Sequence, residues 1–122
     1  MNLALQAEVD GRFAVVPFVA TGAANALPPQ YQLVFDRILT RERLAADLLE
    51  KHPDERCVCD FPVIHTLGNR LLSHDAAERI VGNINLAIIF FEDTHLPSHS
   101  LEVAKRFDRI LAGSTWNRDV LH

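Results

Sequence analysis

The stretch "NLAIIFFEDTHLP", residues 85–97, decides how the rest of the chain is read. Six consecutive apolar residues, Leu86 to Phe91, run without a spacer into Glu92 and Asp93, followed by Thr94 and His95. An apolar run without alternation fits a strand buried on both faces, as a central parallel strand covered by helices is. The two acids then mark the point where that strand returns to water.

Working outward, "RFAVVPFVA" (12–20) and "RCVCDFPVIH" (56–65) are short, rich in Val, Phe and Ile, and bounded by Gly, Asp and Asn, which predicts two more strands. "DRILAG" (108–113) predicts a fourth. Helical patterns lie between them. After Pro28 and Pro29, apolar residues fall at Tyr31, Val34, Phe35, Ile38 and Leu39, then at Leu44, Ala45, Leu48 and Leu49. This spacing gives one helix face, or two helices broken near Thr40. Ser73 is placed to cap "HDAAERIVG", with Gly82 just past its end, and Ser98 to cap "HSLEVAKRF". Strands separated by helices imply parallel pairing through right-handed crossovers. The expected fold is a single three-layer, Rossmann-like α/β domain with a mostly parallel sheet of at least four strands, helices on both sides and "INLAIIFF" central.

Composition narrows the function. A chain of 122 residues that is 48% hydrophobic can bury one core, and its net charge of −4 leaves no Lys/Arg cluster to displace counterions from phosphates, so nucleic acid is not an expected partner. No segment reaches the roughly 20 apolar residues of a membrane span, and the first residues lack a basic, apolar leader. A soluble, cytoplasmic protein is expected. Cys57 and Cys59 would share one face of a strand, too far apart along it for an easy disulfide. With His52 and His65 near in sequence, a lone Cys-x-Cys does not specify zinc, and no metal is assigned.

In open parallel sheets ligands collect beyond the carboxyl ends of the strands. At those ends the chain places Thr21 and Gly22, then His65, Thr66, Gly68 and Asn69, then Glu92, Asp93, Thr94 and His95, then Gly113, Ser114 and Thr115. Each has a purely structural reading as well. Strand ends are ordinarily polar, and Asp93, Ser98 and Ser114 also suit helix caps or turns. Gly22 lacks the spacing of a phosphate loop, and "GSTW" is not a nucleophile elbow, because Trp116 stands where Gly is required.

These residues do carry a family resemblance. An apolar strand ending in Phe91 and Glu92, a polar loop, a helix, a short strand from Asp108 through Ile110 and Leu111 to Ser114, and a further helix over Asn117 to Leu121 resemble the N-terminal domain of GT-B glycosyltransferases, in particular glycosyltransferase family 4. The likeness is best over residues 83–121. Upstream, "DFPVIHTLGN" resembles the family's strand that ends in a functional His, and "NLALQAEVDGRFAVVPFV" the end of its first helix and its second strand. The resemblance implies a retaining transfer from a nucleotide-sugar donor to a glycan or other hydroxyl acceptor, with no cofactor. It makes His65 and Glu92 the catalytic candidates, opening into one crevice, and Asn69, Asp93, Gly22 and Ser114 substrate-binding ones. It also implies that the family's opening strand, its Gly-rich turn and its second domain, which holds most donor contacts, are missing, so that the chain alone is inactive. Two other classes stay open: a flavodoxin-like binding or regulatory module, and an interaction domain that forms a homodimer through an exposed edge or a truncated surface.

Overall fold

The computed structural model describes residues 3–11, 13–20, 27–72, 78–90, 92 and 95–121. The chain divides into two compact units, Met1–Asp54 and Glu55–His122. The first is helical, with α1 at Leu3–Val9 and α2 at Gln32–Lys51, the latter entered through a 3-10 turn at Pro29–Tyr31. Ile38, Ala45 and Leu49 form the buried stripe of α2, at the seven- and four-residue spacing of one helix face. Of the two readings of this stretch, the single helix is the one found, with no break near Thr40. The Thr40 hydroxyl donates to the Asp36 carbonyl at 2.8 Å, the back-bond that a Thr inside a helix makes to the preceding turn.

Glu8 ties this unit together. Its carboxylate is buried and accepts from Arg41 Nη1 at 2.8 Å and from the Val15 N–H at 2.8 Å, with Arg37 Nε at 3.7 Å. Burial pushes the Glu8 carboxyl up, but the Val15 N–H and the two guanidinium groups outweigh it and hold the group below the usual carboxylate range. The same bonds explain why residues 13–20 form no strand. Val15 gives its N–H to a side chain, and Pro17 has none to give to a ladder.

The second unit holds every described strand: β1 Cys57–Val58, β2 Val63–Leu67, β3 Ile80–Val81, β4 Asn85–Ile89 and β5 Arg109–Ala112. All pairings are parallel, in a two-stranded sheet β1-β3 and a three-stranded sheet β2-β4-β5. The apolar run at 85–89 is central, as expected from its sequence, but no sheet of four strands forms among the described residues. "RCVCDFPVIH" is two strands because Pro62, without an N–H, interrupts it. The two ladders follow one another along the same pair of segments, linked by Asn83 N–H to Phe61 O at 3.3 Å and Val63 N–H to Ile84 O at 2.9 Å. Across the junction the offset between partners drops by one residue, from 23 at Cys57–Ile80 to 22 at Val63–Asn85. Gly82 makes this slip possible: a Cβ there would stand 2.7 to 2.8 Å from Phe61 O, Ile84 O and Val63 N.

"HDAAERIVG" does not end as a helix, since Ile80 and Val81 are β3. Their branched Cβ atoms favour the extended state that pairs them with Cys57 and Val58. Helix α3 spans Ser98–Ala104 and α4 spans Thr115–Leu121. Pro97, not Ser98, stands at the α3 N-cap, with no side-chain cap bond. Leu67, Leu71, Ala87 and Ile89 form the core of this unit, covered by Leu96, Val103, Ala104, Phe107, Ile110 and Val120. Helices α3 and α4 therefore serve one face of the sheet. On the other, Ile64 and Leu111 are exposed, and among the described residues of this unit no helix packs on that face. The Ser73 cap and Phe91 lie outside the described residues.

Candidate functional site

The register aligns the carboxyl ends of the three-stranded sheet. Leu67 pairs with Ile89, and Ile89 with Ala112, so the next segments begin side by side, at Gly68, Phe90 and Gly113. Asn69 and Glu92 are joined directly, the Glu92 N–H donating to Asn69 Oδ1 at 2.9 Å. The Glu92 carboxylate is exposed. Ser114 closes the start of α4, its Oγ accepting the Asn117 N–H at 3.0 Å, which is the capping role open to it from sequence. Gly22 and Asp93 lie outside the described residues.

The turn after Asn69 is conformationally unusual. Arg70 and Leu71 both take positive φ, 60° and 59°, a region uncommon for residues with a side chain and costly for a bulky one. Two buried groups hold it there. Leu71 is 1% exposed in the core, and Ser100, fully buried on α3, donates its hydroxyl to the Arg70 carbonyl at 2.6 Å. Neither anchor is legible from local spacing. The Ser100 hydroxyl matters only once α3 is laid beside the β2 turn.

His65 is placed elsewhere. It is buried in the middle of β2, opposite Ala87, with its ring edge-on to Phe107 at 5.3 Å. It lines a cavity of about 160 Å³ together with Arg56, Glu78, Ile80, Val81, Asn85, Arg106 and Phe107. Arg56 precedes β1, Glu78 precedes β3, Asn85 begins β4 and Phe107 precedes β5, so this cavity gathers at the amino ends of the strands. Glu92 is not part of its lining, and the two catalytic candidates are not brought into one crevice. Burial holds the His65 imidazole below its usual value and Arg106 adds to this, against a hydrogen bond with the Asn85 side chain.

Asn85 fixes this end of the sheet. Its Oδ1 accepts the Gly82 N–H at 2.8 Å, its Nδ2 donates to the Gly82 carbonyl at 3.1 Å, and its own N–H donates to Asp108 Oδ2 at 2.7 Å. Asp108, a residue of the family-like pattern, thus holds the starts of β4 and β5 together. Burial pushes the Cys59 thiol up to about 11, with Cys57 adding to it, so Cys59 is a protonated, unreactive group. Among the described residues no group of three or more His, Cys, Asp or Glu is placed to hold a metal ion. No helix among them is long and apolar enough to cross a membrane. Comparison with protein-family models, curated proteins and solved structures finds no match to this chain.

Proposed function

We propose that this chain is the acceptor-side part of a glycosyltransferase using a nucleotide-sugar donor, with its working site at the carboxyl edge of β2, β4 and β5. The observation that carries the reading is the bond from the Glu92 N–H to Asn69 Oδ1. It fixes two loops to one another at the edge where parallel sheets bind ligands. The positive-φ turn at Arg70 and Leu71 supports it, because strain held in place by buried anchors concentrates at binding sites.

In this reading the Glu92 carboxylate accepts a hydrogen bond from the acceptor hydroxyl and draws off its proton as the new sugar–oxygen bond forms. The bond from the sugar to the donor phosphate breaks, and the charge passes to the leaving nucleotide, whose stabilising donors belong to a second domain. Asn69 positions the Glu92 segment, and Arg70 supplies positive charge at the edge. Asp93 and Gly22 remain proposed contributors by sequence order. His65 is left out of this machinery because its cavity opens among the amino ends of the strands. The two ladders are read as one interrupted layer of a Rossmann-like sheet, with β2 and β5 as the edges at which a further strand would pair.

The test is sugar transfer by the full-length gene product from a panel of nucleotide sugars. Transfer is expected, with turnover in Glu92→Ala lowered about 10² to 10⁴-fold, the range of a positioned acid–base or electrostatic group. A Glu92→Ala enzyme with unchanged turnover, or a full-length product without transfer to any acceptor, contradicts the reading.

A further inference from the structure

The cavity at the amino ends of the strands has a charge character unlike the rest of the chain. The protein carries a net charge of −4, yet among the described residues this cavity is lined by two arginines against one glutamate. The guanidinium of Arg106 is only loosely engaged, with Nη1 3.6 Å from Glu78 Oε1 and Nη2 3.5 Å from the Glu78 carbonyl. Arg41 in the other unit, by contrast, sits 2.8 Å from Glu8. Arg56 forms no ion pair among the described residues. Asn85 is tied to Gly82 at both ends of its amide and also bonds His65, so it is scaffold here. Ile80, Val81 and Phe107 supply apolar wall, while Arg56, Glu78 and Arg106 are exposed at its mouth.

We infer that this cavity binds a small tetrahedral oxyanion of the phosphate class, held by the guanidinium groups of Arg56 and Arg106 with the His65 imidazole as its innermost contact. Guanidinium groups match such oxygens with paired donors. The volume of about 160 Å³ is many times the ~10–15 Å³ that a single water needs by the same measure, enough for one such ion and part of its hydration. A neutral imidazole presents one N–H and one acceptor nitrogen, and on binding an anion it gains reason to carry a second proton. The oxyanion site is independent of the transferase reading, since it lies at the opposite end of the strands and takes a ligand that needs no sugar.

The experiment is an NMR titration of the whole chain with inorganic phosphate at constant ionic strength, reading the ring resonances of His65 and Phe107. A saturable shift at both is expected. In the Arg56→Gln/Arg106→Gln double variant the affinity should fall about tenfold or more, as expected for lost charge-assisted hydrogen bonds. Glu78→Gln removes the opposing carboxylate and should tighten binding about threefold; this variant keeps the test decisive if the double variant does not fold. Glycerol phosphate forms the second arm. Saturation by both probes identifies a phosphate group on a larger ligand, and saturation by inorganic phosphate alone identifies the free ion. A shift that rises linearly without saturating, or binding that is unchanged in the double variant and in Glu78→Gln, overturns the site.

Discussion

The three-stranded sheet is pinned at one end and held in tension at the other. At its amino end Asn85 and Gly82 exchange two hydrogen bonds, Asp108 takes the Asn85 N–H, and the backbone leaves no room for a Cβ at Gly82. The Asn85 amide and the backbone around it are spent on scaffold, and the side chains of the His65 cavity lie beside them. At its carboxyl end the Glu92 N–H donates to Asn69 Oδ1 across the loops, beside two positive-φ residues and a carboxylate left in solvent. The difference teaches where a sugar acceptor can act. Groups saturated by their neighbours build the sheet, whereas an exposed acid beside a strained turn is available to something outside it.

The largest effect that sharpens this contrast is at the pinned end. Gly82→Ala should cost about 2–3 kcal/mol, because all three close contacts are backbone atoms that cannot rotate aside. The urea midpoint measures it. A midpoint equal to that of the parent chain would mean that the junction between the two ladders gives way easily and is not rigid. A smaller effect is expected at the strained end. Ser100→Ala removes the donor to the Arg70 carbonyl and should cost about 1–2 kcal/mol. Because the anchor of the turn is lost, hydrogen exchange of the Glu92 amide should quicken while that of Ala87 does not. Equal acceleration at both would erase the distinction between the two ends.

The smallest effect is in pH. His65 has a folded-state value below its ordinary 6.5, so the unfolded chain takes up the proton first as pH falls. Stability contributed by keeping His65 neutral is therefore complete above 6.5 and declines as pH drops below it, until the folded value is passed. The slope cannot exceed about 1.4 kcal/mol per pH unit. Among the described residues, Arg56, Glu78 and Arg106 are the charged groups facing this ring. Glu8 does not interfere. Its lowered value means that its contribution is present above the usual carboxylate range and is lost only at more acid pH. Urea midpoints between about pH 7.5 and 5.5 should fall in the parent chain and stay level in His65→Gln.

Legibility in the sequence depends on which interactions are local. The strands at 85–89 and 109–112 are legible because an apolar run bounded by turn residues leaves few alternatives, and the parallel order then places Asn69, Glu92 and Ser114 along one edge. The stretch 13–20 looks just as strand-like, but a buried carboxylate from α1 takes its N–H, a long-range event that no window reports. Ile80 and Val81 resemble the tail of a helix because two apolar residues fit either period. Sequence alone puts His65 at a strand end, where the apolar pattern gives way to polar residues. In fact β2 runs on to Leu67, which leaves His65 in the interior among residues from the opposite ends of its neighbours. Arg56 and Arg106 lie far apart in sequence, and only the parallel pairing of the strands brings them to one cavity.

The central claim is that the carboxyl edge, and not the His65 cavity, receives the sugar. Its most direct test is an amide NMR titration of this chain with uncharged mono- and disaccharide acceptors, which carry no phosphate for the arginines to hold. Saturable shifts are predicted to cluster at Asn69, Arg70 and Glu92, with Asn85 and Phe107 unmoved. Shifts centred on Asn85, His65 and Phe107, or none at Asn69 and Glu92 with any acceptor, would contradict it.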